Sequence, residues 1–176
     1  MIERTGKHLI IGAGFAGLAV AAALKRNGIP YEQVEADDDL GGNWYHGVYE
    51  TVHIISSRRT TQYSDYPMPA DWPDFPSAAH MRQYLSDYAR HFDLRSRIEF
   101  NTEVKWVEPA AEGLWNVTLA SGETREYGGV IVCNGHHWDC RYPNFPGEFT
   151  GECIHSKQYK NPQVLIGKRV LVVGGG

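Results

Sequence analysis

The sequence predicts an α/β domain, a mostly parallel sheet covered by helices and carrying a small antiparallel β-meander. Three observations carry that prediction. An apolar run, a glycine turn, a helix of small residues and a second apolar run follow one another within the first 35 residues. Short strand-like segments with a Ser-Gly turn lie between Val104 and Tyr127. The closing segment, Lys168 to Gly176, repeats the opening pattern of strand and glycines.

His8 to Ile11 is a short apolar run ending at glycine and reads as a buried strand. Ala13 to Asn27 reads as a helix of small and aliphatic residues, with Gly28 as its stop signal. Tyr31 to Glu35 is a second strand, completing a βαβ unit of the kind that builds parallel sheets. From Asp37 to Pro76 periodicity fades, and a patternless stretch of that length inside a compact domain is a functional or ligand-wrapping loop. Ser77 is the predicted N-cap of a helix running to about Phe92, with Met81, Tyr84, Leu85, Tyr88 and Phe92 as its buried stripe. Ile98 to Phe100 is a third parallel strand. Val104–Val107, Trp115–Leu119 and Glu123–Tyr127 form the meander, turning at Ser121-Gly122. Val130 to Cys133 is another short buried strand, ending at Asn134-Gly135. The Pro-rich stretch from Arg141 to Pro146 reads as a crossover.

A chain of 176 residues, 42% hydrophobic and 22% charged, suffices for one soluble domain with a core. A net charge of −4 and a pI near 6.0 exclude general attraction to nucleic acid or to an anionic membrane. Three cysteines without a CxxC pair suit a reducing cytoplasm better than a disulfide scaffold. Leu9 to Leu24 is uncharged and imitates a signal peptide, but it falls short of the ~20 residues that span a bilayer. No targeting or transmembrane segment is read, and the expected location is cytoplasmic.

Gly12-Ala13-Gly14-Phe15-Ala16-Gly17 fits GxGxxG between a strand and a helix, the signature of a Rossmann-like dinucleotide-binding unit. The first glycine permits the turn, the second lets a pyrophosphate approach the backbone, and the third lets helix and strand pack closely. Glu35 ends the second strand 23 residues after Gly12, where a carboxylate accepts hydrogen bonds from an adenosine ribose. An acid there repels a 2′-phosphate, so this site favours FAD or NAD over NADP. Asp39-Leu40-Gly41-Gly42-Asn43-Trp44 follows, and resembles a GGxW segment that runs beside a flavin. A glycine turn with a buried tryptophan is the plain alternative.

Further segments carry a specific resemblance. Tyr63-Ser64-Asp65-Tyr66-Pro67-Met68-Pro69 is similar to the FSDFPMP segment of the flavin-containing monooxygenase family. Phe75-Pro76-Ser77 and the Tyr84-Leu85 helix continue in register. Val132-Cys133-Asn134-Gly135-His136-His137 resembles its C-T-G-H-H segment, with Asn134 in the threonine position. Phe149, Gly151, His155 and Tyr159 fit the family fingerprint FxGxxxHxxx(Y/F), whose ending differs from that of the related Baeyer–Villiger enzymes. Gly167 to Gly176 is similar to the strand opening the family's NADPH-binding domain. The resemblance covers nearly the whole chain.

The resemblance implies FAD and NADPH (or NADH) as cofactors, with a small-molecule substrate and O2 as partners. The flavin performs the chemistry: one oxygen atom of O2 passes to a soft nucleophile, an amine or sulfide, through a C4a-(hydro)peroxyflavin. No nucleophile–base pair is therefore expected. The cofactor-binding expectation comprises Gly12, Gly14, Phe15, Ala16, Gly17, Glu35, Gly42, Asn43, Trp44, Ile55, Ser56, Val104, Asn134 and Gly135. Much of the family has an Asn-Ser pair where this chain has Ile55-Ser56, so an amide beside the flavin is missing, and His53 is the nearby donor. That departure leaves open an FAD-dependent NAD(P)H oxidase or reductase without oxygen transfer. A non-catalytic truncated Rossmann module is the third reading.

His155 is read as a linker residue hydrogen-bonding between domains. His136, His137, Cys140, Cys153 and His155 are too irregularly spaced for a zinc pattern, and no metal is expected. Arg58 and Arg59 face either a cofactor phosphate or solvent, and Cys133 reads as a small core residue. The expected organisation is the N-terminal part of an FAD-binding domain over 1–147, a linker with the fingerprint over 148–166, and the first strand of a truncated NAD(P)H-binding domain over 167–176. Such a piece is expected to be inactive alone. An uncovered sheet edge or cofactor face invites a homo-oligomer.

Overall fold

Adjacent side chains of a strand point to opposite faces, and Leu9 and Ile10 accordingly enter two different cores. In the computed structural model, which describes residues 2–137 and 139–174, six strands form one sheet. They are β1 (Ile2–Ile11), β2 (Tyr31–Val34), β3 (Ile98–Glu99), β4 (Val104–Pro109), β5 (Trp115–Leu119) and β6 (Thr124–Val132). Their spatial order is β3-β2-β1-β6-β5-β4. β1 is parallel to both β2 and β6, β2 is parallel to β3, and β4-β5-β6 is an antiparallel meander.

Helices cover one face. α1 (Phe15–Arg26) buries Gly17, Leu18, Ala21 and Ala22, and the glycine and alanines let its axis lie close to β1 and β2. α2 (Arg58–Thr61) is one turn long. α3 (Ala78–His91) is capped by Ser77, whose hydroxyl accepts from the His80 N–H. Its predicted stripe is buried at Met81, Tyr84, Leu85 and Tyr88, while Phe92 is its half-buried C-cap. Tyr63 wedges between α1 and α3, with ring centroids 4.3 Å from Phe15 and 4.1 Å from Tyr88. The opposite face packs Leu9 and Val34 against Val117, Leu119 and Tyr127 of the meander.

Five predicted elements differ. Glu123–Tyr127 and Val130–Cys133 are one strand, β6, because Gly128-Gly129 does not break it. Those glycines face the register shift between Arg4 and His8, where a Cβ on Gly128 would collide with the Thr5 carbonyl. The second half of β6 is less buried than predicted: Val132 is 63% exposed at the end of the strand. β1 begins at Ile2 instead of His8, since its polar first half is held by pairing with Arg125–Tyr127 and has no apolar period to read. Asp37–Pro76 contains a π-helical turn (Asn43–Gly47), α2 and isolated bridges, made by local hydrogen bonds that leave no period.

Lys168 to Gly174 forms no strand, although its apolar residues favour one. A strand needs a neighbour for its N–H and C=O groups, and this segment pairs with neither edge strand; Leu171 is 85% exposed. Gly176, part of the predicted second turn, lies outside the described residues. Among the described residues no helix is long and apolar enough to cross a membrane.

Candidate functional site

β1, β2 and β6 are parallel and end on one edge of the sheet, where open α/β sheets bind ligands. Gly12 leaves β1 with φ +103°, a conformation that favours glycine, and its N–H donates to Val34 O at 2.8 Å. A Cβ there would lie 2.6 Å from Cys133 O. Gly14 is the N-cap of α1 and meets no such obstacle: its Cβ would stand 3.5 Å from Gly42 Cα, an ordinary contact. Gly17 is different again. Its Cβ would lie well inside 3.0 Å of Gly12 O and 2.9 Å from that carbonyl carbon. The first and third glycines are therefore demanded by packing, and the second is not.

Glu35 is 7% exposed, one residue beyond β2. Its carboxylate accepts from the Ala13 N–H at 2.5 Å and from the Asp37 N–H at 3.1 Å. A carboxylate offers about four lone-pair sites, so capacity remains for the two hydroxyls of a ribose. The Gly41 N–H donates to Ala13 O at 3.0 Å, drawing the GGxW segment over the glycine turn. Gly41 and Gly42 have φ of +123° and +54°, and a Cβ on Gly42 would stand 3.0 Å from Gly14 Cα. Glycine faces glycine here. The N-terminal end of α1, with its N–H groups and partial positive charge, is left uncovered by side chains from that side.

The remaining predicted residues fall into two groups. Ala13, Gly17 and Phe15 build the turn; Phe15 O accepts from the Tyr63 hydroxyl at 2.5 Å, while Ala16 is exposed. Trp44 packs on the helical core, and Asn43 is exposed at the start of the π-turn. Val104 is half-buried with Leu9 and Val34, and the Thr102 N–H donates to Glu35 O at 2.8 Å, bringing the head of β4 to the Glu35 end. Asn134 and Gly135 follow β6 on the same edge and are exposed. His53 and Ser56 are exposed, Ile55 is 98% exposed, and no hydrogen bond among the described residues joins them to the turn. Ile54 between them is buried, with its N–H bonded to Pro76 O, which turns Ile55 outward.

His155 caps a short turn: its Nδ1 accepts from the Lys157 N–H at 3.1 Å and its own N–H donates to Gln158 Oε1 at 2.7 Å. The fingerprint segment folds back onto the GGxW region. Lys160 Nζ donates to His46 O at 2.8 Å and Gly47 O at 3.0 Å, and Tyr159 lies 5.6 Å from Tyr49. A hollow of about 320 Å³ opens there between Asn43, Gly47, His137, Cys140 and His155. A larger groove of about 750 Å³ runs between the π-turn and α3 and includes none of the glycine-turn residues. The backbone donors define the candidate site better than either hollow.

Arg58 lies 3.7 Å from Asp74 and Arg59 is exposed. Burial pushes the Cys133 thiol up, which favours its neutral form. Among the described residues no group of three His, Cys, Asp or Glu is placed to hold a metal ion. Sequence reasoning missed Gln33, which is 1% exposed and donates Nε2 to Gly12 O at 2.9 Å. Its signal is an amide on the helix-facing side of β2, where alternation asks for an apolar residue.

A mixed sheet with helices on one face, a GxGxxG turn, a strand-end carboxylate and a glycine pair over the helix N-terminus defines an α/β dinucleotide-binding protein. The model of the flavin-binding monooxygenase-like family matches residues 5–176, and the chain belongs to that family. It is 35% identical over 187 residues to flavin-containing monooxygenase 5 of Homo sapiens, a match covering 95% of this chain and 35% of that protein. Flavin-containing monooxygenase 3 of Macaca mulatta is 36% identical over 193 residues, covering 97% and 36%. The chain thus spans about a third of the length of these curated relatives. The flavin-containing monooxygenase from Stenotrophomonas maltophilia superposes with a TM-score of 0.83 at 26% identity, over 95% of this chain and 49% of that one. The closed structure of cyclohexanone monooxygenase gives 0.80 at 30%, over 99% and 34%.

Proposed function

We propose that this chain holds FAD at the glycine turn, as the FAD-binding part of an NAD(P)H-dependent monooxygenase that passes one oxygen atom of O2 to a soft nucleophile, an amine or a sulfide. The observation that carries the reading is the joint geometry of Ala13: its N–H meets the Glu35 carboxylate and its carbonyl takes the Gly41 N–H. The residues fit the group. Gly14 and Gly42 present backbone without side chains at the helix N-terminus, as a pyrophosphate requires. Glu35 keeps lone pairs for a ribose diol, and a carboxylate at that place disfavours a 2′-phosphate. Bound FAD would supply the electron transfer and oxygen activation. The protein's part is to bind and orient it. Trp44, Asn43, Asn134 and Gly135 are the residues that would lie beside the flavin ring in this reading. In the same reading residues 1–147 serve FAD, 148–166 link, and 167–176 lead into an NAD(P)H-binding unit. An assembled crystal complex of one structural neighbour holds both FAD and NADP.

Titrating the purified chain with FAD, followed by quenching of flavin fluorescence, tests the site. Saturable binding that Glu35→Ala weakens is the expected result, and a folded chain that takes up no flavin would refute the assignment. A second reading, an NAD(P)H oxidase that releases hydrogen peroxide, rests on Ile55 standing where much of the family has an amide. In the full-length protein, oxygenated product in proportion to NADPH consumed favours the monooxygenase, and equivalent hydrogen peroxide favours the oxidase.

A further inference from the structure

Gln33 lies on β2 opposite Ile10 of β1 and Ile98 of β3, with its side chain at 1% exposure. Ile10, Tyr31 and Ile98 belong to the core that packs under the helices, so a leucine or methionine at position 33 would suit the surroundings. The amide instead donates Nε2 to Gly12 O at 2.9 Å and leaves Oε1 buried without a partner among the described residues. An unpaired buried carbonyl is costly, and an apolar side chain would avoid that cost. The amide cannot be turned over, because Gly12 O accepts only.

The Gly12 carbonyl and the Ala13 N–H belong to a single planar peptide unit. Gln33 holds its oxygen and Glu35 holds its N–H, from opposite sides. Such a unit next to a glycine at φ +103° would otherwise rotate with little steric resistance. Rotation would turn the carbonyl toward the anion site and strip Glu35 of its backbone donor. The close approach of Gly17 completes the cage: a Cβ on it would come within 3.2 Å of Gln33 Nε2 as well as striking Gly12 O.

We propose that Gln33 is a positioning residue that clamps the Gly12–Ala13 peptide, so that the glycine turn and Glu35 are set for the dinucleotide before it arrives. The proposal rests on the reading of this turn as the FAD site. The clamp itself has a signature without flavin. Ala13 amide hydrogen exchange, measured by NMR on the full chain, is expected to be slow in the wild type and at least about tenfold faster in Gln33→Leu, as loss of about one hydrogen bond implies. Gln33→Met is the second variant should leucine disturb folding, with the thermal midpoint of each variant as the control for global loss. FAD affinity is expected to fall by about five- to tenfold in both, while the midpoint changes little, because relief of the unpaired Oε1 offsets the lost bond to Gly12 O. Gln33→Glu adds a pH test: the protonated acid can donate to Gly12 O and the ionised acid cannot, so its FAD affinity relative to the wild type at the same pH should fall as pH rises. Unchanged Ala13 exchange in folded Gln33→Leu and Gln33→Met would overturn the clamp. Faster exchange with unchanged FAD affinity would overturn its role in the site. Faster exchange in a chain whose wild type takes up no FAD would uphold the clamp and overturn the FAD reading instead.

Discussion

Replacing Gly17 by alanine sets two known effects against each other. Alanine in a helix interior is favoured over glycine by about 1 kcal/mol, and position 17 lies within α1. Against this, the new methyl would stand 2.9 Å from the Gly12 carbonyl carbon and closer still to its oxygen, where real Cβ atoms do not go below 3.0 Å. The obstacle is backbone, so no side chain can swing aside. Relief requires α1 to withdraw from β1 by about 1 Å, and overpacking of this kind costs roughly 3 kcal/mol at the upper end of its range. The net expectation is a loss of about 2 kcal/mol, which for a chain of this size lowers Tm by about 4–8 °C. Calorimetry on the flavin-free chain measures it, with Gly6→Ala as the control because a Cβ on Gly6 meets nothing within 4 Å. Gly14→Ala should behave oppositely: stability within about 1 kcal/mol of wild type, since only an ordinary contact with Gly42 arises, yet weakened flavin binding. A Gly17→Ala chain as stable as wild type would refute the argument that the third glycine is demanded by packing.

Two further outcomes follow from buried hydroxyl and charge. Tyr84, 1% exposed, accepts from the Tyr63 N–H at 2.7 Å and donates to Tyr66 O, so Tyr84→Phe should cost about 1–3 kcal/mol in urea denaturation by orphaning a buried N–H. Arg125, 4% exposed, grips both oxygens of Glu99 at 2.7 and 2.8 Å, and that hydrogen bonding holds the Glu99 carboxyl below its ordinary 4.5. A lowered folded-state value means the contribution is complete above pH 4.5 and is lost as pH falls through that lowered value. Tm measured against pH should therefore decline less steeply on the acid side in Glu99→Gln than in wild type.

The βαβ opening and α3 were legible because their apolar residues recur at strand and helix periods and because Gly12, Gly28 and Ser77 punctuate them. The glycine turn and Glu35 were legible for the same reason: their spacing is fixed by local geometry. What escaped was whatever depends on a partner distant in sequence. The polar first half of β1 is a strand only because β6 lies beside it, and Gly128-Gly129 looks like a break until the irregularity in β1 is known. Lys168 to Gly174 has strand composition and no neighbouring strand. Gln33 breaks the apolar alternation of β2, but its purpose shows only when its amide is seen on Gly12 O. Ile55 marks a departure from a pattern, but its outward orientation came from Ile54 entering the core.

β6 serves two kinds of pairing along one strand, and this has a practical meaning for probes and tags. The turn at Ser121-Gly122 leads into its first residue, Thr124, while Asn134 follows its last, Val132, at the ligand edge. Nine residues of extended chain separate the two ends by roughly 30 Å. Gly122 has open space around its Cα, so a fluorophore or a short epitope inserted at this turn would project from the end of the sheet farthest from the glycine turn. An energy-transfer donor placed there would report flavin arrival at the opposite edge without touching it, across about the length of one strand.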